Sequence, residues 1–186
     1  MIAYKAFNPG LVCLSYQFQM GINITEKANC RENGFHCAEN PLDCLSYYSN
    51  MNRSEYYIVN AGGDIDEDEH DSKIACTELN IIKKLTREEF FLHSLAYIAD
   101  RPYRQCTHVK KDRAKANNGY AIVRGADPVA CGNVGDILAF AKESPDGRKI
   151  TQLAYTRVDG KEIMAGRWYG VDLTERSDME DEEKRA

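Results

Sequence analysis

Residues 34–48 read Gly34-Phe35-His36-Cys37-Ala38-Glu39-Asn40-Pro41-Leu42-Asp43-Cys44-Leu45-Ser46-Tyr47-Tyr48, a change from strand to helix within one short span. Asn33-Gly34 is a turn signal, because both residue types tolerate the positive φ that tight turns demand. Phe35 to Ala38 then reads as a short strand. Asn40 is a capping residue, Pro41 has no N–H to leave unsatisfied at the first helical position, and Asp43 complements the positive end of the helix dipole. Pro41, Cys44, Leu45 and Tyr48 recur at three- and four-residue steps, which predicts a helix with one apolar face.

Working outward, residues 2–7 (IAYKAF) predict an opening strand that ends in the turn Asn8-Pro9-Gly10. Tyr56 to Val59 and Ile74 to Ile82 predict two further strands, with the acidic stretch Asp64–Asp71 as the loop between them. Thr86 and Glu89 form the T-x-x-E capping box ahead of Phe90, Phe91, Leu95 and Ile98, so a second helix runs from there towards Pro102. Beyond a basic connection, Tyr120–Val123, Ile137–Ala141, Ile150–Val158 and Trp168–Asp172 read as strands. Asp146-Gly147 and Asp159-Gly160 separate the later ones as hairpin signals. The expected class is α+β: a mixed, mainly antiparallel sheet, two principal helices and a β-rich C-terminal part. The expected division is an N-terminal α+β part over 1–100, a basic connection over 101–118, a β-rich part over 119–173 and an acidic, disordered tail over 174–186.

Composition narrows the function classes. The chain has 186 residues and a net charge of −5, yet six acids fall within Asp64–Asp71 and more within the tail, so the remainder is mildly basic. The longest apolar runs, such as Ile137–Ala141, are too short to span a bilayer, and the N-terminus does not resemble a signal peptide. Seven cysteines, an odd number, are expected as free thiols in a cytoplasmic protein.

Several candidate sites have a plain structural reading beside the chemical one. Cys30, Cys37 and Cys44 with His36 are ligand types for zinc, but they lack the tight C-x₂₋₄-C knuckles of structural sites, so no metal is expected. Asp64, Asp66 and Asp68 begin like a calcium loop, but the sixth and twelfth positions are Glu69 and Ala75 where glycine and glutamate are required. Arg101, Arg104, Lys110, Lys111, Arg113 and Lys115 form a basic cluster suited to phosphate groups, of a nucleic acid or of a nucleotide, or else an ordinary exposed connection. No nucleophile elbow, P-loop, dinucleotide fingerprint or H-E-x-x-H helix is present, and His93 reads as a packing residue.

The segment Gly34–Tyr48, together with Tyr4-Lys5-Ala6-Phe7-Asn8, resembles an uncharacterised domain family of bacteriophages and prophages that opens with YKAF(N) and continues with GFHxCENPLDVLxYY. Ser72-Lys73 and Tyr120–Gly125 followed by Gly135-Asp136 extend the likeness. Relatives often carry glycine- and alanine-rich short repeats before the last block, and this chain has the basic connection there instead. The resemblance implies a phage- or prophage-encoded accessory protein in the host cytoplasm. It would bind a host protein or a nucleotide-like ligand, one expected role being to counter host defence. The same strand-and-helix segment also resembles the core of ADP-ribosyltransferase-like folds. That likeness implies NAD as cofactor, His36 in the nicotinamide pocket, Tyr48 behind it and Glu78 as the carboxylate that stabilises an oxocarbenium ion. Tyr4 joins His36 and Tyr48 in the expected ligand pocket.

Overall fold

The computed structural model describes residues 1–30, 32–68 and 72–177. The chain divides into two compact units, Met1–Phe90 and Phe91–Ala186, and the division falls inside a helix. Each unit has its own sheet.

In the first unit the strands are β1 (Ile2–Phe7), β2 (Val12–Cys13), β3 (Tyr16–Gln17), β4 (Gly21–Ile24), β5 (Phe35–Ala38), β6 (Glu55–Glu67) and β7 (Lys73–Leu85). β1 pairs with β6, β6 with β7, β7 with β5, and β5 with β1, all antiparallel. The sheet therefore closes on itself as a ring of four strands, and β4 extends it along β7. A closed ring leaves no unpaired edge among its members. Strand alternation turns Ala3, Phe7, Phe35, Cys37, Tyr57, Val59, Ala61, Ile74, Cys76, Leu79 and Ile81 into one buried cluster inside. Phe18, from the segment between β3 and β4, completes it, with its ring centroid 5.1 Å from that of Phe7 and 4.8 Å from that of Phe35.

The long β6–β7 hairpin is where the acidic loop was expected. Ile65, Asp66 and Glu67 instead pair with Cys76, Ala75 and Ile74, so the strand carries its acids outward into solvent. A bulge between Gly62 and Ile65 makes this possible. Gly63 sits there at φ +68°, and a Cβ would lie 2.1 Å from the Thr77 hydroxyl oxygen, so only glycine fits. Residues 69–71 of that stretch lie outside the described residues.

The predicted turn and strand at 33–38 form as read, and Asn40 caps the next segment through its side-chain oxygen, which accepts from Leu42 N at 3.1 Å. That segment, Pro41–Ser46, is a 3-10 helix of one to two turns and not a principal α-helix. Its bonds run Asp43 N to Asn40 O and Tyr47 N to Cys44 O, the tighter spacing that suits so short a piece. The second helix, α1 (Arg87–Asp100), forms behind its capping box. Thr86 Oγ1 accepts from Glu89 N at 3.1 Å, and a Glu89 carboxylate oxygen accepts from Thr86 N at 2.9 Å.

The second unit holds β8 (Lys110–Lys115), β9 (Tyr120–Cys131), β10 (Ile137–Glu143), β11 (Ile150–Arg157) and β12 (Tyr169–Gly170). The basic connection thus contains a strand. β8, β9 and β10 run parallel, an exception to the mainly antiparallel pattern. Parallel partners ordinarily need a long crossover. Here Lys110 pairs with Val123, Ala114 with Ala130 and Tyr120 with Ile137, thirteen to seventeen positions apart, so the chain coils and stacks each turn on the last. Asp146-Gly147 closes the β10–β11 hairpin as expected. Asp159-Gly160 does not close one, because β12 pairs with β9; Asp159 Oδ1 instead accepts from the N–H groups of Lys161, Glu162 and Ile163 at 2.8–3.0 Å. At the start of the expected tail, Arg176 N donates to Trp168 O at 2.7 Å, and residues 178–186 lie outside the described residues.

Phe18 fills the ring without belonging to it, so Phe18→Ala leaves a cavity that the strands cannot close. Urea denaturation should show the first unit destabilised by about 3–5 kcal/mol; a loss under about 1 kcal/mol would mean that the ring does not rely on this side chain.

Candidate functional site

A cavity of about 920 Å³ lies in the first unit, where β1, β5, the 3-10 helix and the start of β7 meet. Tyr4, His36 and Tyr48, which the sequence places together, all line it. The lining takes residues from both faces of two strands: Tyr4 and His36 from the outer face, Lys5 and Cys37 from the inner. The ladder between β1 and β5 explains this, since its register consists of Tyr4 with Ala38 alone. Where that backbone pairing is missing, Lys5 reaches across and its ammonium donates to His36 O at 2.6 Å.

Lys5 is only 6% exposed. Its ammonium also approaches Cys13 Sγ at 3.8 Å and lies 5.2 Å from the ring centroids of Phe7 and Phe18. Among the described residues no carboxylate pairs with it. Cys13 Sγ accepts a second hydrogen bond, from the Tyr48 hydroxyl at 3.3 Å. Burial, with help from this bond and the neighbouring thiols, pushes the Tyr48 phenol well above its ordinary value. Cys13 stands on the β2–β3 hairpin between Leu11 and Leu14, whose φ values of 63° and 54° are unusual for leucine. Leu14, 90% exposed, stands at the cavity mouth.

The helix side of the cavity is fixed by one carboxylate. Asp43 Oδ2 accepts from Ser72 N at 3.2 Å and from Ser72 Oγ at 2.6 Å, and Oδ1 accepts from Asn40 Nδ2 at 3.2 Å. Asn40 N in turn donates to Ser72 Oγ at 2.8 Å. These bonds clamp the 3-10 helix to the entry of β7 and bring Tyr47 and Lys73 together, the ammonium donating to the phenol oxygen. Tyr56 donates its hydroxyl to Tyr48 O and so holds the helix exit against β6. Cys44, buried beneath, has its thiol pushed up to about 12 by that burial. Burial, then the positive charges of Lys5 and Lys73, lower the His36 pKa. The imidazole is therefore neutral at pH 7.

The other candidates are elsewhere. Glu78 is exposed on β7 and does not line the cavity. Ala75 is the partner of His36, and Glu78 stands three residues further along β7, where it pairs with Ile24 and Gly62. Arg101, Arg104, Lys110, Lys111, Arg113 and Lys115 belong to the second unit and are exposed there. Lys111 pairs with Glu143, which also receives Arg124; burial raises that carboxyl, and the two hydrogen bonds outweigh it and hold it below the usual range. Arg113 lies 4.9 Å and Lys115 5.9 Å from the Trp168 ring centroid. Several of these charges are thus engaged within their own unit. Among the described residues no three His, Cys, Asp or Glu side chains are grouped to hold a metal, and no helix is long and apolar enough to cross a membrane. No cysteine takes part in a disulfide.

Such a ring, with an aromatic and cationic cavity at the gap in its wall, defines a small closed β-barrel domain. The chain belongs to the family described as Domain of unknown function (DUF7666), whose model matches residues 1–93. No curated protein and no solved structure matches the chain.

A histidine whose folded pKa lies below its unfolded value of 6.5 binds its proton more readily in the unfolded chain. Stability should therefore be flat above about pH 6.5 with respect to this group and fall as pH drops below it. His36→Gln should flatten that part of the urea-midpoint profile, and an NMR titration should place the His36 midpoint below 6.5; a midpoint above 6.5 would contradict the burial described.

Proposed function

We propose that the first unit is a binding domain for a nucleotide-like ligand. The observation that carries this reading is the make-up of the cavity. Its walls combine Tyr4, Tyr47, Tyr48 and the neutral His36 with three cations, Lys5, Arg53 and Lys73. Aromatic faces suit a base, which stacks on them at low entropic cost, and the cations suit phosphate oxygens. The volume of about 920 Å³ falls within the roughly 300–1,000 Å³ of small-molecule sites. Asp43 is the acid in this lining, and Ser72 and Asn40 occupy its oxygens, so it offers little repulsion to an anion.

On this reading the chain is an accessory protein of phage or prophage origin that acts in the host cytoplasm by capturing such a ligand. Host defence signalling through nucleotides is one process that capture would interrupt. An NAD-consuming transferase is less well supported, because Glu78 is exposed away from the cavity lining and Asp43 is tied to the fold. Nucleic-acid binding through the 101–115 cluster has the engaged charges of Lys111 and Arg113 against it.

The test is equilibrium binding of nucleoside phosphates and NAD to the full chain, followed by calorimetry and thermal shift. At least one adenine or guanine nucleotide should bind, and Tyr4→Ala should weaken it by about 1–3 kcal/mol, the worth of one stacking face. Lys110→Ala with Lys111→Ala should leave that affinity unchanged. Absence of binding by every nucleotide, or loss of binding only in the Lys110/Lys111 variant, would overturn the proposal.

A further inference from the structure

We infer that the buried ammonium of Lys5 is the seat of an anionic phosphoryl group, set between Cys13 and Tyr48 at the gap between β1 and β5. The inference rests on the proposed nucleotide reading for the rest of the ligand, but not for the seat itself.

The Lys5 ammonium carries a charge that its described neighbours do not balance. A lysine that is 6% exposed has left bulk water, and a buried cation is ordinarily matched by a carboxylate. Here the ammonium has three N–H donors and two described acceptors, the His36 carbonyl at 2.6 Å and the Cys13 sulfur at 3.8 Å. A thiol sulfur is a weak acceptor, and the rings of Phe7 and Phe18 offer only their faces. One donor therefore has no described partner, and the positive charge has no described counter-charge. Lys5 nevertheless lines the cavity, so the missing partner is one that enters from there.

The neighbouring groups indicate which anion fits. Tyr48 brings a hydroxyl to the same sulfur at 3.3 Å, and it remains a protonated donor because burial holds its phenol far above its ordinary value. An incoming oxygen that displaces Cys13 from this contact would meet an ammonium and a phenol together. Arg53 lines the same cavity, and the Asp43 carboxylate in that lining is occupied by Ser72 and Asn40. Lys5 and Arg53 together suit the doubled charge of a phosphate monoester better than the single charge of a carboxylate.

Cys13 also provides the readout. Its thiol is half-buried beside the seat, so an occupying phosphate should shield it from alkylation. The experiment compares the full chain with Lys5→Met, a substitution close in shape that removes the charge. The probes are AMP, adenosine, acetate and inorganic phosphate. Iodoacetamide labelling of Cys13 is followed by peptide mass spectrometry, and binding by calorimetry.

We expect AMP to bind the wild type at least tenfold more tightly than adenosine, and Lys5→Met to remove that difference. AMP and millimolar phosphate, but not acetate, should slow Cys13 alkylation in the wild type. The seat is refuted if AMP binds and Lys5→Met keeps the full preference over adenosine, or if neither AMP nor phosphate slows Cys13 alkylation. If no nucleotide binds but phosphate still protects Cys13, the seat stands and the nucleotide reading falls. If acetate protects as well as phosphate, the phosphoryl assignment is wrong. Should Lys5→Met fail to fold, the wild-type protection by phosphate against acetate decides the question alone.

Discussion

One side-chain hydrogen bond, from the Lys5 ammonium to the His36 carbonyl, stands where the backbone ladder of the first unit gives out. The ring needs β1 and β5 as neighbours, yet their register is a single pair, Tyr4 with Ala38. Elsewhere the strands are joined by long ladders: β1 to β6 over Ile2–Phe7, and β6 to β7 along most of both strands. Lys5 bridges the weak seam with a charge-assisted bond, stronger than a neutral one of the same length. Because the bridge is a side chain and not a sheet, the seam stays open enough for a cavity to reach the inner face.

The same seam explains why the tyrosines gather there. The capped 3-10 helix follows β5 directly and lies against the seam, and Asp43 with Ser72 fastens it to the start of β7. Tyr47 and Tyr48 leave the helix at its end and so overhang the gap, while Tyr4 reaches it from β1. Each of these contacts serves the fold and shapes the cavity at once. A cation placed in the interior has a desolvation cost that the described partners only partly offset. Retaining it at a cavity is understandable if a ligand supplies the rest.

Much of this was legible in the residues because local chemistry decides it. The turn at Asn33-Gly34, the strand Phe35–Ala38, the Asn40 cap and the Thr86–Glu89 box each depend on a few adjacent side chains. Lys5 was also visible in principle: in IAYKAF, period-2 alternation sets it beside Ala3 and Phe7 on the buried face, an odd place for a lysine. Cys13 was hidden, because its hairpin bends at two leucines with positive φ where glycine or asparagine would have signalled a turn. The meeting of Lys5, Arg53 and Lys73 depends on ring closure, a long-range pairing that no short motif encodes. For the same reason Glu78 looked well placed: its strand was evident, but its distance along β7 from the partner of His36 depended on the register. In the second unit the strand segments were readable, whereas their coiling into parallel neighbours was not, since hairpin signals such as Asp159-Gly160 also serve to cap a loop.

The account turns on whether a ligand's charge enters the ring at Lys5. The most direct measurement is an NMR titration of the full chain, with carbon-13 labels on lysine side chains, as AMP is added. The account predicts saturable shifts at Lys5 Cε together with the backbone amides of Cys13 and Tyr48, and no comparable change at Lys110 or Lys111. Shifts confined to the lysines of the second unit, or an unmoved Lys5 signal in a chain that binds AMP, would contradict it.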